Sequence, residues 1–316
     1  MSSMGIADLL VTTAILFVIC YGGIRMIFPL LKETPAAQAQ NYAGRTVAYG
    51  LGLVWVFFAF ALCLLGLIFD DQLWKLTPLV QTPVIILVLV CFALGLVDDS
   101  YGTGASRGFK GHLKALAKGK LTTGGLKLFG ISAVAFYCAF SLEPLIMLTS
   151  AGPQRGILAL FSSSLASKIL YGLFAGAGIA LTSNFLNLCD LRPGRALKAY
   201  GLLTALAGVL MIFTFSFSAM ALSLIILIVP LIAVFGLDVK EQGMLGDTGA
   251  NPFGALVGCA IIFALGTNYL MLGVYVAVML ALNFASEKVS FSRVISGNKF
   301  LSKLDNLGRL DKGKEK

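Results

Sequence analysis

Two adjacent aspartates, Asp98 and Asp99, close an apolar run that begins at Pro78. The run is about as long as a helix needs to cross a bilayer, roughly 20 residues. Its carboxylates therefore fall where hydrocarbon gives way to water. A carboxylate at the bilayer centre costs about 2.5–3.5 kcal/mol on insertion scales; at the boundary the cost is smaller, and a divalent cation can offset it. A second polar set, Asn184, Asn187 and Asp190, is spaced by three at the end of another apolar run. On a helix such residues are neighbours. Amides both donate and accept, which suits a base, a sugar or a phosphate, although a polar stripe can equally glue helices together. Asp190 runs directly into Leu191-Arg192-Pro193-Gly194-Arg195, a turn with two guanidiniums. The third set is Gly243-Met244-Leu245-Gly246-Asp247-Thr248-Gly249-Ala250-Asn251. Its glycines allow close backbone approach to a ligand, and the helix that follows favours phosphate at its N-terminus. A carboxylate beside a phosphate is repulsive unless a metal lies between them. Mg²⁺ binds through one or two carboxylates with phosphate oxygens and water. The bland alternative is that Asp247 caps its helix.

These residues must be held by membrane helices. The chain of 316 residues is 58% hydrophobic and only 12% charged, with a mean hydropathy of +0.90, against about 25% charged in a soluble domain. Nine spans are expected, over 6–31, 47–69, 78–97, 126–148, 168–188, 197–215, 219–236, 252–265 and 268–285, and a tenth is not needed unless 249–286 divides differently. The expected fold is thus all-α, a polytopic helical bundle of about 9–10 spans. A single membrane domain covers 1–289, and a basic tail follows at 290–316. The first run is long enough to span and is read as staying in the chain.

Nine spans put the two termini on opposite faces. With the N-terminus outside, one face receives 32–46, 98–127, 189–198, 237–251 and 286–316, and with them twenty of the 24 Lys and Arg. Lys75, Arg155 and Lys168 fall opposite, and Arg25 is within snorkelling reach of the rich face. The positive-inside rule makes that face cytoplasmic and the C-terminus internal. Asp98, Asp99, Asp190 and Asp247 all land there, far apart in sequence yet on one side, whereas Asp70 and Asp71 face outward water. A plasma-membrane protein with a site at its cytoplasmic face is the expectation.

The remaining features read as structural. The six cysteines lie mostly in apolar runs without paired spacing, so neither a disulfide framework nor a zinc site is expected. His112, the single histidine, is read as a loop residue near headgroups. Gly172 to Gly176 forms a small-xxx-small pattern for close helix approach, and Pro230 is a kink position in the seventh span. Phe109, Leu113, Leu116 and Ala117 give a short helix lying on the membrane, with Lys110, Lys114 and Lys118 beside it. The tail rests on anionic headgroups. The membrane is the expected partner of the positive charge, and nucleic acid is not.

Taken together, Gly95-Leu96-Val97-Asp98-Asp99, Asn187-Leu188-Cys189-Asp190 with Gly194, and Leu245-Gly246-Asp247-Thr248-Gly249 resemble, in order and spacing, the motifs of the polyprenyl-phosphate N-acetylhexosamine-1-phosphate transferases. The resemblance covers about residues 40–260 and includes a weaker match at 41–52 and the lysine Lys127. It implies transfer of a sugar 1-phosphate from a UDP-sugar to undecaprenyl phosphate, with release of UMP and a need for Mg²⁺ or Mn²⁺, at the start of a cell-envelope glycan. By that resemblance Asp247 and Asp99 ligate the metal, Asp98 faces the lipid phosphate, and Lys127 holds a phosphate. Asn184, Asn187 and Asp190 hold the nucleotide, and the protein is a homodimer. Adjacent helical residues diverge by about 100°, which favours split roles for Asp98 and Asp99.

The chain departs from the family pattern. The usual Asp-Gly-x-Asp-Gly reads Asp190-Leu191-Arg192-Pro193-Gly194; the aromatic three residues before the motif aspartate is Met244; the histidine cluster before the last span is absent. These departures point away from the muramoyl-pentapeptide enzyme and toward a simpler UDP-N-acetylhexosamine donor. The rival readings are a relative that binds prenyl-phosphate lipid without transfer, and a transporter; the interfacial position of the motifs speaks against the latter.

Overall fold

A computed structural model describes residues 5–69, 76–102, 108–149, 164–266 and 268–310. Among these residues nine helices are long and apolar enough to cross a membrane. They are α1 (Ile6–Glu33), α2 (Leu51–Phe69), α3 (Thr82–Tyr101), the span within α5 (Thr123–Thr149), α6 (Leu165–Cys189), α7 (Arg195–Ile212), α8 (Phe217–Val239), α9 (Gly246–Leu265) and α10 (Tyr269–Lys288). The short helix α4 (Gly108–Ala117) precedes α5, and α11 (Phe291–Gly297) and α12 (Lys299–Asn306) follow α10. The chain is a multi-pass helical bundle, and its nine spans follow the expected order. α4 forms where a surface helix was expected; the side chains of Phe109, Lys110, His112 and Leu113 lie outside the described residues, as do Asp70, Asp71, Lys75, Arg107 and Arg155.

α9 is the axis of the bundle. Of its most apolar 18-residue window 94% is buried, against 22% for α10. It packs on α3, α6 and α7. Two glycines allow this. A Cβ on Gly95 would sit 2.5 Å from the Asp247 carbonyl oxygen, and one on Gly254 would sit 2.5 Å from Ser183 Cα, so α9 meets α3 and α6 backbone to backbone. Phe253 at its centre takes Trp55 and Tyr200 edge-on, with centroids at 4.5 and 4.7 Å. The Trp55 indole N–H donates to the Gly249 carbonyl at 3.2 Å. The Gly172–Gly176 pattern packs close as expected, against Phe136 and Phe140 of α5. Pro230 lies inside α8, which runs unbroken around it.

Two features differ from the sequence expectation. The eighth span starts at Gly246, not near Pro252, because the glycine-flanked Asp247 segment is itself the first turn of the helix. And the bundle is not purely helical: β1 (Gln38–Gln40) pairs antiparallel with β2 (Thr46–Tyr49), which pairs parallel with β3 (Gly243–Met244). Asn41 makes the turn between β1 and β2, its side-chain oxygen accepting from the amides of Ala43 and Arg45 at 2.9 and 3.0 Å. Ala48 lies opposite Gly243 and Tyr49 opposite Met244, so the sheet ties the chain ahead of α2 to the chain ahead of α9.

Candidate active site

Three spans end at one point. Asp98 comes from the last turns of α3, Lys127 from the first turns of α5, and Asp247 from the first turn of α9. Lys127 Nζ lies 2.6 Å from Asp98 Oδ2 and also donates to Asp247 Oδ2. The Asp98 and Asp247 carboxyl groups are themselves within hydrogen-bond reach, and the Thr123 hydroxyl also donates to Asp98. All three charged side chains are largely buried.

Asp98 and Asp99 diverge, as helix geometry requires. Asp99 Oδ1 accepts from the Asp247 amide at 3.1 Å, and Oδ2 accepts from the Thr248 amide at 2.8 Å and from the Thr248 hydroxyl. Asp99 is thus the N-terminal cap of α9, supplied by a different helix. Asp247 needs no cap role of its own and is left to face Lys127. The residue placed opposite Asp247 is Asp98, where Asp99 was expected beside the metal.

A second polar layer stands behind the first. Asp190, the C-terminal cap residue of α6, accepts from the Gly246 amide. Burial and the neighbouring charges of Asp238 and Asp247 raise its carboxyl well above the usual carboxylate range, against the lowering effect of that amide. Tyr49 of β2 hydrogen-bonds to Asp99, and burial together with that carboxylate raises its phenol. Its ring covers Gly246, where a Cβ would collide with it. Asp238, buried at the end of α8, accepts from the amides of Gly194 (2.7 Å) and Leu245. It therefore clips the Asp190 turn to the Asp247 turn. Neither Tyr49 nor Asp238 stood out in the sequence. Asp238 carried a readable signal, a carboxylate ending an apolar run just as Asp98 does.

The polar stripe on α6 divides. Asp190 joins the carboxylate group, and Asn187 lies one turn before it with its carbonyl accepting from the Asp190 amide at 3.0 Å. Asn184 instead donates to Asn283 Oδ1 at 2.6 Å, and Asn283 donates to the carbonyls of Leu181 and Met279. Asn184 thus joins α6 to α10.

Beside Asp190 lies a small cleft of about 60 Å³, bordered by Asn41, Tyr42, Arg192, Glu241 and Met244. The Arg192 guanidinium stacks on the Tyr42 ring at 4.2 Å. Glu241 fixes the opposite loop: it accepts from Asn41 Nδ2 at 3.1 Å and the Tyr42 hydroxyl at 3.2 Å, and pairs with Arg45 at 3.6 Å. Its φ of 54° is the one positive value among the described non-glycine residues.

The electrostatics of the cluster constrain its ligand. Asp98, Asp99 and Asp247 against Lys127 leave a net charge of −2 if all are ionised. A phosphate is repelled from such a site unless a further cation intervenes. The Asp98 and Asp247 oxygens already converge on one cation, the Lys127 ammonium, and two carboxylates with phosphate oxygens are what Mg²⁺ takes. Among the described residues no group of three His, Cys, Asp or Glu is arranged to hold a metal; a site completed by substrate phosphate does not need one. The two carboxylates therefore fit a divalent cation once Lys127 is displaced from between them.

Compared with known proteins, the chain matches no family model, and no curated sequence matches it.

Proposed function

We propose that the protein is a membrane phosphoglycosyltransferase, moving a sugar 1-phosphate from a UDP-sugar to a polyprenyl phosphate with release of UMP. The observation that carries the reading is the Asp98–Lys127–Asp247 cluster. Three spans distant in sequence deliver two carboxylates and an ammonium to one end of the bundle, where a lipid phosphate meets water.

A phosphate monoester has its second pKa near about 6, so most of the acceptor is already dianionic at neutral pH. A strong base is not required. The barrier is the approach of one anion to another, which charge neutralisation lowers. In this reading Asp247 and Asp98 would hold a divalent cation, which would supply that neutralisation at the diphosphate. Lys127, which pairs with both carboxylates here, would be displaced from between them by that cation and would turn to a phosphate oxygen. Asp99 fixes the α9 N-terminus by taking the Asp247 and Thr248 amides, and so sets where Asp247 points. Asp190, with Asn187 and the Arg192–Tyr42 stack, borders the nucleotide side. In-line attack on the β-phosphorus is the step this arrangement serves.

The test is UMP release by detergent-purified protein supplied with undecaprenyl phosphate, Mg²⁺ and a panel of UDP-sugars, with Asp247→Asn as control. UMP dependent on lipid, metal and one sugar, and lost in the control, supports the reading and names the donor. UMP formed equally by Asp247→Asn removes Asp247 from the mechanism. No UMP from protein that still binds the lipid phosphate transfers the weight to a lipid-binding protein without transfer activity.

A further inference from the structure

The two helices after the last span are attached to the bundle in an unusual way. Neither α11 nor α12 contains a fully buried residue; the apolar anchor of the pair is Phe291 of α11, which meets Phe185 of α6 edge-on with ring centroids at 6.1 Å. α12 itself is held by polar bonds centred on Asp305. Its carboxylate accepts from Arg195 Nε and Nη2 at 2.8 and 2.9 Å, and Arg309 Nη2 lies 3.0 Å away. Its carbonyl accepts from Lys198 Nζ at 2.6 Å. Arg195 also donates to Ser292 at 2.8 Å, and Arg309 Nε donates to the Pro193 carbonyl at 2.8 Å. Every one of these bonds ends on the Asp190–Arg195 turn, on the first turn of α7, or within the tail itself.

The opposite face of α12 has no such partner. Ser302, Asp305 and Arg309 point inward, while Phe300, Leu301, Leu304 and Leu307 are exposed, Phe300 to 70% and Leu307 to 66%. At 100° per residue Phe300, Leu301 and Leu304 fall on one arc, Leu307 continues it at the helix end, and Lys299 and Lys303 lie along one edge of it. An apolar arc with flanking lysines fits the boundary of an anionic bilayer. Its depth suits that boundary too: α11 begins three residues after α10 ends, so the tail has no length in which to leave the membrane surface.

We propose that α11 and α12 form a strap whose outer face docks on anionic phospholipid and whose inner face, through Asp305, braces the Asp190–Arg195 turn. Lipid docking and order in that turn are then coupled: docking fixes α12, and α12 fixes Arg195 and Pro193. The coupling needs no nucleotide and does not depend on the transfer reading.

The experiment is hydrogen exchange of the full chain in nanodiscs of phosphatidylcholine alone or with phosphatidylglycerol. The amides of Leu191, Arg192, Gly194 and Arg195 should exchange about tenfold more slowly with the anionic lipid. Phe300→Ser with Leu304→Ser should remove that lipid dependence while the remaining amides of α7 stay protected. Asp305→Asn should make the turn exchange fast in both lipids, and Asp305→Glu should restore the difference. Equal exchange of the turn in both lipids overturns the proposal, as does a lipid dependence that survives the Phe300/Leu304 substitutions. A second readout rests on the transfer reading: anionic lipid should lower the donor KM of the parent with kcat unchanged, and should leave both constants unchanged in Asp305→Asn. Its failure beside a positive exchange result counts against the transfer reading and not against the strap.

Discussion

Asp99 and Thr248 join the end of one span to the start of another: the carboxylate accepts both the amide, at 2.8 Å, and the hydroxyl of Thr248. With the Asp247 amide on its second oxygen, Asp99 satisfies two of the free N–H groups that every helix N-terminus presents. Replacing a capping residue by Ala typically costs about 0.5–2 kcal/mol. Asp99→Ala should therefore lower the melting temperature in detergent and reduce turnover, since Asp247 rides on the turn it releases. Asp99→Asn keeps one acceptor oxygen and should fall between Ala and the parent. An unchanged melting temperature in Asp99→Ala would remove the cap from the account of this site.

The Lys127 cluster makes a prediction that separates folding from chemistry. Lys127→Met leaves Asp98 and Asp247 facing each other without their cation. Removing one partner of a buried ion pair costs about 3–5 kcal/mol, and the side chains here are only 12–23% exposed. Adding Asp98→Asn removes one of the stranded charges. The double variant should regain most of the lost thermal stability yet show no UMP release. Recovery of turnover along with stability would make the lysine structural.

How far these features were legible in the sequence depends on what carries the signal. The nine spans were readable because a membrane helix must satisfy its backbone internally and face lipid, which writes length and hydropathy into the chain. Asp98 and Asp247 were readable as charges at the ends of apolar runs. The division of labour between Asp98 and Asp99 was not, because it depends on α9 approaching α3 at Gly95, and no local pattern records which helix a carboxylate meets. The three-stranded sheet escaped for the same reason: β3 is two residues long and exists only through its pairing with β2. Asn184 and Asp190 share one stripe, yet one meets α10 and the other the carboxylate group.

Glu241 holds a strained backbone for the sake of its side chain. A non-glycine residue at φ 54° costs about 1–3 kcal/mol where the surroundings enforce it. Its contacts with Asn41, Tyr42 and Arg45 are what hold the loop beside the cleft. Glu241→Gly relieves the strain and loses the contacts; Glu241→Ala loses the contacts and keeps the strain. Both should raise the donor KM several-fold with kcat little changed, and Gly should be the more stable of the two by about 1 kcal/mol. Melting curves and steady-state kinetics on the pair decide it. A normal KM in both would detach the loop from donor binding.

Asp190 should trade stability for function, and pH exposes the trade. Burial and the charges of Asp238 and Asp247 raise its carboxyl in the folded protein, whereas the unfolded chain ionises near the usual value of about 3.9. Between those two values the unfolded state has lost a proton that the folded state keeps. Stability therefore falls as pH rises through that window, and the loss is complete above the folded value. Below about pH 4 both states are protonated and the penalty is absent. Asp190→Asn preserves an oxygen for the Gly246 amide and removes the titration. Measured as the difference from the parent, which cancels the other titrating groups, its melting temperature should match near about pH 4 and rise above the parent's as pH increases. The same variant should bind the UDP-sugar more weakly at neutral pH, because Asp190 borders the nucleotide side of the cleft. A difference in melting temperature that does not change with pH would mean that Asp190 titrates alike in both states, and its burial would then have no bearing on the site.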